Sequence, residues 1–308
     1  MIQVQDNTMN ASVYKFTHSF VRDFVAALSK RLHTKGFELQ RILDQTFTST
    51  DDRWNIFSRF LFGLCSGQST DLLEGLLGKC FDDVSLCISD WLSETIKRRT
   101  ENLERKYTQN KFLNILHCLS EFGDVQLTKN ALTVKRAIKF NQCVLRPSDC
   151  TVICTTLTCP EAITEMDLSS CCLQLEGIQQ LEPILHKCET LRLSGNDLQD
   201  AGVKCVSEAL KKVDCKVKQL ELKSNKLTDD CLEDLFCALA GNRSLMVLDL
   251  SNSAHDEHQA NRFAAGNLQN MEKSCNSKRD IRLIRNQDFK QNPSKDDIAL
   301  NVLTIITD

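Results

Sequence analysis

The chain has 308 residues, 42% of them hydrophobic and 26% charged, with a formal net charge of −3. The length suits two domains of ~100–150 residues each, and the balance of apolar and charged residues excludes a globally disordered chain. The charge is too small to give a nucleic-acid footprint or a membrane-attracted surface.

The start, Met1 to Asn7, lacks the basic-then-apolar pattern of an export signal. No apolar run approaches the ~18 residues of a membrane helix; the best candidate, Ile298 to Ile306, is short and carries Asn301. A cytoplasmic chain with neither membrane nor nucleic-acid partner is the expectation.

From residue 11 to about 145 apolar residues recur at helical spacing. Phe20, Phe24, Ala27 and Leu28 form one stripe and Trp54, Phe57, Leu61 and Leu64 a second. Ile88, Leu92 and Ile96 form a third, and Phe112, Ile115, Leu116 and Leu119 a fourth. These stripes predict a helical domain over 1–148 with its aromatics in the core rather than around a cofactor. The charged runs Lys97-Arg98-Arg99 and Glu104-Arg105-Lys106 fall on the polar faces of helices, and a localisation signal in the first is the alternative. Leu145 to Asp149 reads as the link that follows, because Pro147 disfavours helix at Arg146.

A repeat then takes over. The pattern L-x-x-L-x-L-x-x-N/C-x-L begins at Ile163, Met166, Leu168, Cys171 and Leu173. It returns at Cys188, Leu191, Leu193, Asn196 and Leu198, and again at Val217, Leu220, Leu222, Asn225 and Leu227. A fourth copy opens with Leu245, Leu248 and Leu250 and places Ser253 at the Asn position. The copies start 25, 29 and 28 residues apart. Alternating positions such as Leu220 and Leu222 lie on one face of a short strand, and the Asn amide can satisfy backbone groups inside the following bend. A compact weak donor such as Cys171 can stand in for it.

Helical spacing resumes after each strand. Val203, Val206 and Leu210 follow Asp200, read as an N-cap. Leu232, Leu235, Phe236 and Leu239 precede Gly241, read as a C-cap. Pro183 weakens the helix that carries Gly177, Leu181, Ile184 and Leu185. A strand and a helix every ~28 residues is the long leucine-rich-repeat class, in which no repeat folds alone and stacked copies share one core. The predicted architecture is therefore α and α/β. A helical domain over 1–148 precedes a ribonuclease-inhibitor-like β/α solenoid over 149–252.

After Asn252 the template fails. Residues 253–308 read as a degenerate repeat, with Ile281, Leu283 and Asn286 as its remains, or as a poorly ordered tail. Its His255-Asp256-Glu257-His258 is a polar turn, with a metal site the sharper alternative. Without an export signal the 16 cysteines read as reduced, buried thiols. Zinc is disfavoured, because Cys150, Cys154 and Cys159 have no C-x-x-C pair or second ligand cluster beside them. No cofactor and no metal are expected.

Val13 to Ala27, with His18, Phe20, Phe24, Ala26 and Ala27, resembles the F-x-H-x-x-x-Q-E-F-x-A-A segment of nucleotide-binding leucine-rich-repeat receptors, the NLR family. Arg53 to Leu64, Asn114 to Phe122 and Leu145 to Cys150 are similar to the same family, notably its bony-fish members, and the resemblance covers roughly residues 11 to 252. It implies the end of a winged-helix domain, a second helical domain and repeats, and it assigns His18 to a nucleotide-sensing position. The departures are substantial. Arg22 and Asp23 stand where the family has Gln and Glu, and no G-x-x-x-x-G-K-[ST] phosphate loop occurs. The expectation is a carboxy-terminal NLR portion, as a truncated transcript or gene model would give. Its NACHT ATPase domain is absent, His18 is vestigial, and the chain alone binds no nucleotide.

The function expected is a non-enzymatic protein-interaction module in innate immune signalling. Its partner would sit on the concave strand positions Glu165, Asp167, Thr190, Arg192, Gln219, Glu221, Lys223, Val247 and Asp249. A free-standing enzyme inhibitor of the ribonuclease-inhibitor kind is the alternative, although capture of a basic ribonuclease favours a strongly acidic field and these charges are mixed. No nucleophile motif or zinc-protease helix supports an enzyme.

Overall fold

A computed structural model describes residues 2–6, 11–49, 51, 53–78, 81, 84–99, 106–132, 137–158, 162–228, 230–251, 282–284 and 302–304. Two units divide the chain: Met1–Arg99 with Lys111–Ala131, and Thr100–Asn110 with Leu132–Asp308. Among the described residues no helix is long and apolar enough to cross a membrane.

The first unit opens with β1 (Ile2–Asp6) and β2 (Ala11–Lys15), an antiparallel pair. Helices follow: α1 (Ser19–His33), α2 (Gly36–Thr48), α3 (Arg53–Leu64), α4 (Gly67–Leu77), α5 (Ser85–Arg99), α6 (Lys106–Phe122) and α7 (Val125–Leu132). The division between the units passes through α6. Apolar residues four apart fix which faces meet. Leu39, Leu43 and Phe47 of α2, Phe57 and Leu61 of α3, and Ile88, Leu92 and Ile96 of α5 are all buried. Trp91 of α5 stacks against Phe47 at 4.9 Å and anchors its indole N–H on Asp44 Oδ1 at 2.9 Å.

The stripe on α1 turns out differently. Ala27 is fully buried, but Phe20 is 59% and Phe24 38% exposed. Both rings lie edge-on to Phe60 of α3 at 4.8 and 5.3 Å, so one aromatic side chain covers part of each and leaves the rest to solvent. The expected side chains of the fourth stripe, Phe112, Ile115, Leu116 and Leu119, are buried. Beside them Asn114 links Arg59 Nε (2.9 Å) to Ser58 Oγ (3.0 Å), satisfying polar groups that would otherwise be stranded.

In the second unit strands and helices alternate as far as β7: β3 (Ala137–Lys139), α8 (Pro147–Leu157), β4 (Ile163–Asp167), α9 (Gln174–Leu185), β5 (Cys188–Arg192), α10 (Gln199–Lys211), β6 (Gln219–Glu221), α11 (Asp230–Gly241) and β7 (Val247–Asp249), followed by β8 (Arg282–Ile284) and β9 (Val302–Thr304). The strands form one sheet in sequence order, parallel from β3 to β8 and antiparallel at β9. Ile138, Met166, Leu191, Leu220, Leu248 and Leu283 are aligned across it.

The sheet thus begins before residue 149, where the repeats were expected to start. Ile138, Phe140, Cys143 and Leu145, all buried, match Met166, Leu168, Cys171 and Leu173. The copy escapes the pattern because Lys135 stands where the template has its first apolar residue. Asn141 of this copy accepts from Gln109 Nε2 of α6 at 2.6 Å, inside the same unit. Arg146 is extended and α8 starts at Pro147, as the residue types require.

Two caps differ from expectation. Leu198, not Asp200, is the N-cap residue of α10. The Asp200 carboxylate instead accepts from the backbone N–H (2.8 Å) and hydroxyl (2.6 Å) of Thr228, one repeat onward. Gly241 is the last residue of α11 and has no positive φ. Asn242 makes the turn there: its Oδ1 accepts from the N–H groups of Ser244 and Leu245, and its Nδ2 donates to Leu210 O. Pro183 lies inside α9 without breaking it, since the helix ends two residues later.

Seven of the described cysteines are buried, but Cys172 and Cys237 are exposed. The tail readings at His255, His258, Ile281 and Asn286, and the thiol of Cys159, fall outside the described residues, as do the side chains of Lys97, Arg98 and Arg99.

Candidate functional site

The strands present their alternate side chains away from the buried row. Register places Glu165 beside Thr190, Thr190 beside Gln219 and Gln219 beside Val247. Two residues along, Lys139, Asp167, Arg192, Glu221 and Asp249 form the next row. The sequence-derived candidates Glu165, Asp167, Arg192, Gln219, Glu221, Val247 and Asp249 therefore share one face. Lys223 follows β6 in an exposed turn.

Their charges are braced across strands. Arg192 Nε donates to Glu165 Oε1 at 3.1 Å, and Arg192 Nη1 pairs with Glu221 Oε1. Lys139 Nζ lies 3.3 Å from Glu165 Oε2. The result is a ladder of alternating sign from β3 to β6. Partial burial works against the Arg192 charge, but the carboxylates of Glu221 and Glu165 outweigh it and raise the guanidinium pKa. Asp167 and Asp249 turn one oxygen each to the N–H groups of Ser169 and Ser251, which orients them at the strand ends. Lys139 escaped sequence reading because its strand lay within the segment assigned to helices. The alternation of Ile138 and Phe140, 28 residues before Met166 and Leu168, is the signal that locates it.

Beyond each strand the chain turns through left-handed residues. Gln142, Ser170, Gly195 and Ser224 all have φ between 56° and 68°. Each immediately precedes the residue at the Asn position, so one bend recurs in these four copies. Gly195 suits its copy of the bend: it takes the left-handed φ without strain, and a Cβ there would meet Ser170 Oγ at 3.0 Å. Behind the bends Asn196 and Asn225 are fully buried. Asn225 Nδ2 donates to Leu193 O (3.0 Å) and Leu222 O (2.8 Å), and its Oδ1 accepts from Asn196 N (2.9 Å). Asn196 repeats the arrangement with Leu168 O, Leu193 O and Cys171 N. Cys171 supplies the donor half, its Sγ lying 2.9 Å from Phe140 O.

His18 lies in the other unit. It is exposed and occupies the N-cap position of α1, with no capping hydrogen bond from its side chain. Among the described residues no cluster of His, Cys, Asp and Glu could hold a metal ion.

Residues 8–130 match the family described as NLRC4 helical domain HD2, and residues 189–207 match Leucine Rich repeat. Protein NLRC3 of Mus musculus is 27% identical over 271 residues, covering 81% of this chain and 25% of that protein. NACHT, LRR and PYD domains-containing protein 14 of Mus musculus is 33% identical over 165 residues, 51% of this chain and 17% of the relative. The NACHT, LRR and PYD domains-containing protein 1 homolog of Danio rerio is 29% identical over 165 residues, 53% of this chain and 12% of the relative. The chain spans at most a quarter of the length of these relatives. It is NLR-like, joining a second helical domain of the HD2 type to leucine-rich repeats, with no phosphate loop in its 308 residues.

Proposed function

We propose that the chain is the protein-interaction module of a cytoplasmic, NLR-like innate immune sensor or regulator. The repeats recognise a ligand or partner, or restrain one, through the face that carries Glu165, Arg192, Gln219, Glu221, Lys223, Val247 and Asp249. The observation that supports this most is the ion ladder Lys139–Glu165–Arg192–Glu221. It holds polar side chains in place on a rigid sheet before any partner arrives, and preorganisation of this kind lowers the cost of association. Thr190, Gln219 and Val247 provide contact area beside it.

The reading is non-enzymatic and without cofactor, and neither nucleic acid nor membrane is a partner. Both matched family descriptions name a helical domain and a repeat rather than an enzyme. His18 is a vestigial sensor in this reading. The domain limits 1–148, 149–252 and 253–308 belong to this reading, with the β3 copy counted among the repeats and β8 and β9 continuing their sheet. An inhibitor of the ribonuclease-inhibitor kind is the second reading, and the balanced charges of the ladder disfavour it for a basic enzyme.

Affinity capture with the full chain tests the proposal when a surface variant, Gln219→Glu with Lys223→Glu and Val247→Arg, is run beside it. Specific proteins retained by the parent and lost by the folded variant are expected. Identical capture by both would remove the concave face from the mechanism.

A further inference from the structure

A cavity of about 550 Å3 opens in the helical unit, between α1, α2 and the start of α3. Its apolar lining includes Ala26 of α1, Ile42 of α2 and Trp54 of α3. None of the three is buried, and Trp54 is 42% exposed. Phe57, one turn along α3, is buried, and its ring meets the indole at 88° with centroids 5.4 Å apart, which braces Trp54. A large aromatic side chain held in place and left open to solvent is a surface that a planar apolar group can cover.

Four of the charges around the cavity cancel in pairs. Arg22 Nη2 lies 2.7 Å from Asp23 Oδ1, and Arg53 Nη2 lies 2.6 Å from Asp51 Oδ2. Lys30, Glu38 and Arg41 also line the cavity; all three are exposed and form none of the ion pairs among the described residues. One positive charge is therefore in surplus. The backbone at the start of α3 adds no free donor, because Arg53 N donates to Asp51 Oδ1 at 2.9 Å and Trp54 N to Asp51 O at 3.3 Å. Recognition of an anion falls to the side chains of Arg41 and Lys30.

We propose that this cavity binds a small aromatic monocarboxylate, its ring system lying against Trp54, Ile42 and Ala26 and its carboxylate held by Arg41 and Lys30. The guanidinium fork matches a planar carboxylate with two hydrogen bonds, and a cavity of this volume takes a small organic ligand. Glu38 repels a second negative charge. Together with the spent backbone donors, it turns the site away from a nucleotide, whose phosphates call for successive free N–H groups. The cavity lies in the helical unit, and its role stands or falls without the strand face proposed above.

Isothermal titration of the full chain decides the matter. The probe is 2-naphthoate, with the neutral 2-naphthamide and adenosine monophosphate as comparisons. Saturable binding of 2-naphthoate at one site is expected, with the amide at least about tenfold weaker for want of a charge-assisted hydrogen bond and no heat from the nucleotide. Arg41→Gln should weaken 2-naphthoate about tenfold with an unchanged thermal midpoint, since Arg41 braces no partner in the fold. Trp54→Ala should weaken it by a similar factor, while Trp54→Phe, which keeps an aromatic surface, should recover most of the affinity. Lys204→Gln on α10, the same loss of charge elsewhere, should leave it within about twofold. No binding of 2-naphthoate, equal binding of the amide or of the nucleotide, or full affinity in folded Arg41→Gln would overturn the proposal.

Discussion

The side-chain carbonyl of Asn225 accepts the backbone N–H of Asn196, 2.9 Å away and one repeat earlier in the chain. The same amide donates to Leu193 O and Leu222 O, so one side chain closes its own bend and ties it to the preceding coil. Both residues are fully buried, so bulk water does not compete for the bonds.

Asn225→Ala should therefore destabilise the repeat unit by roughly 1–3 kcal/mol, the cost of orphaning buried backbone groups. Asn225→Cys should lose less, because the thiol of Cys171 already supplies the donor half of the role at its own position. Urea unfolding followed by circular dichroism measures both, and an unchanged midpoint for the alanine variant would contradict the ladder.

Arg192 joins carboxylates on two neighbouring strands, 27 residues before it in sequence at Glu165 and 29 after it at Glu221. Arg192→Gln removes both pairs and leaves two carboxylates flanking an uncharged side chain. Cross-strand charge pairs contribute roughly 0.2–1 kcal/mol each, so a loss of about 1 kcal/mol is expected after screening. The gap between parent and variant thermal midpoints should shrink as sodium chloride is raised. A gap that is insensitive to salt would mean that the guanidinium acts by packing and not by charge.

The thiols divide by burial. Cys65, Cys118 and Cys188 are buried, and the loss of solvation pushes their pKa up to about 12, while Cys172 and Cys237 are exposed. Brief native alkylation followed by mass spectrometry should label Cys172 and Cys237 and spare the other three. The same burial gives stability a pH dependence. The unfolded chain releases these protons near 9 and the folded chain holds them to about 12, so stability is full below the first value and falls between the two. A urea midpoint that stays level from neutral pH into that alkaline window would refute the buried-thiol account.

His18 cannot sustain nucleotide binding alone. A charge-assisted hydrogen bond contributes roughly 1.5–3 kcal/mol, against the ~8 kcal/mol of a micromolar complex. Isothermal titration of the full chain with ADP and magnesium should give no measurable heat of binding. Micromolar affinity that disappears in His18→Ala would reveal a nucleotide site built from other residues.

The sequence alone determined the repeat, its period and the residues that fill its core. Met166, Leu191, Leu220 and Leu248 recur because every coil must bury the same wedge of space, and Asn196 and Asn225 recur because every bend leaves the same backbone groups unpaired. These are local requirements repeated along the chain, and periodicity exposes them. Relations across repeats were decided only by the tertiary structure. Asp200 looks like a cap for its own helix until stacking brings Thr228 within reach. Phe20 and Phe24 have the spacing of core residues, and only the approach of Phe60 settles how much of each ring is covered. Lys139 joins the ladder through strand register. Register depends on how whole coils stack, and each coil places side by side residues that lie a full repeat apart in sequence.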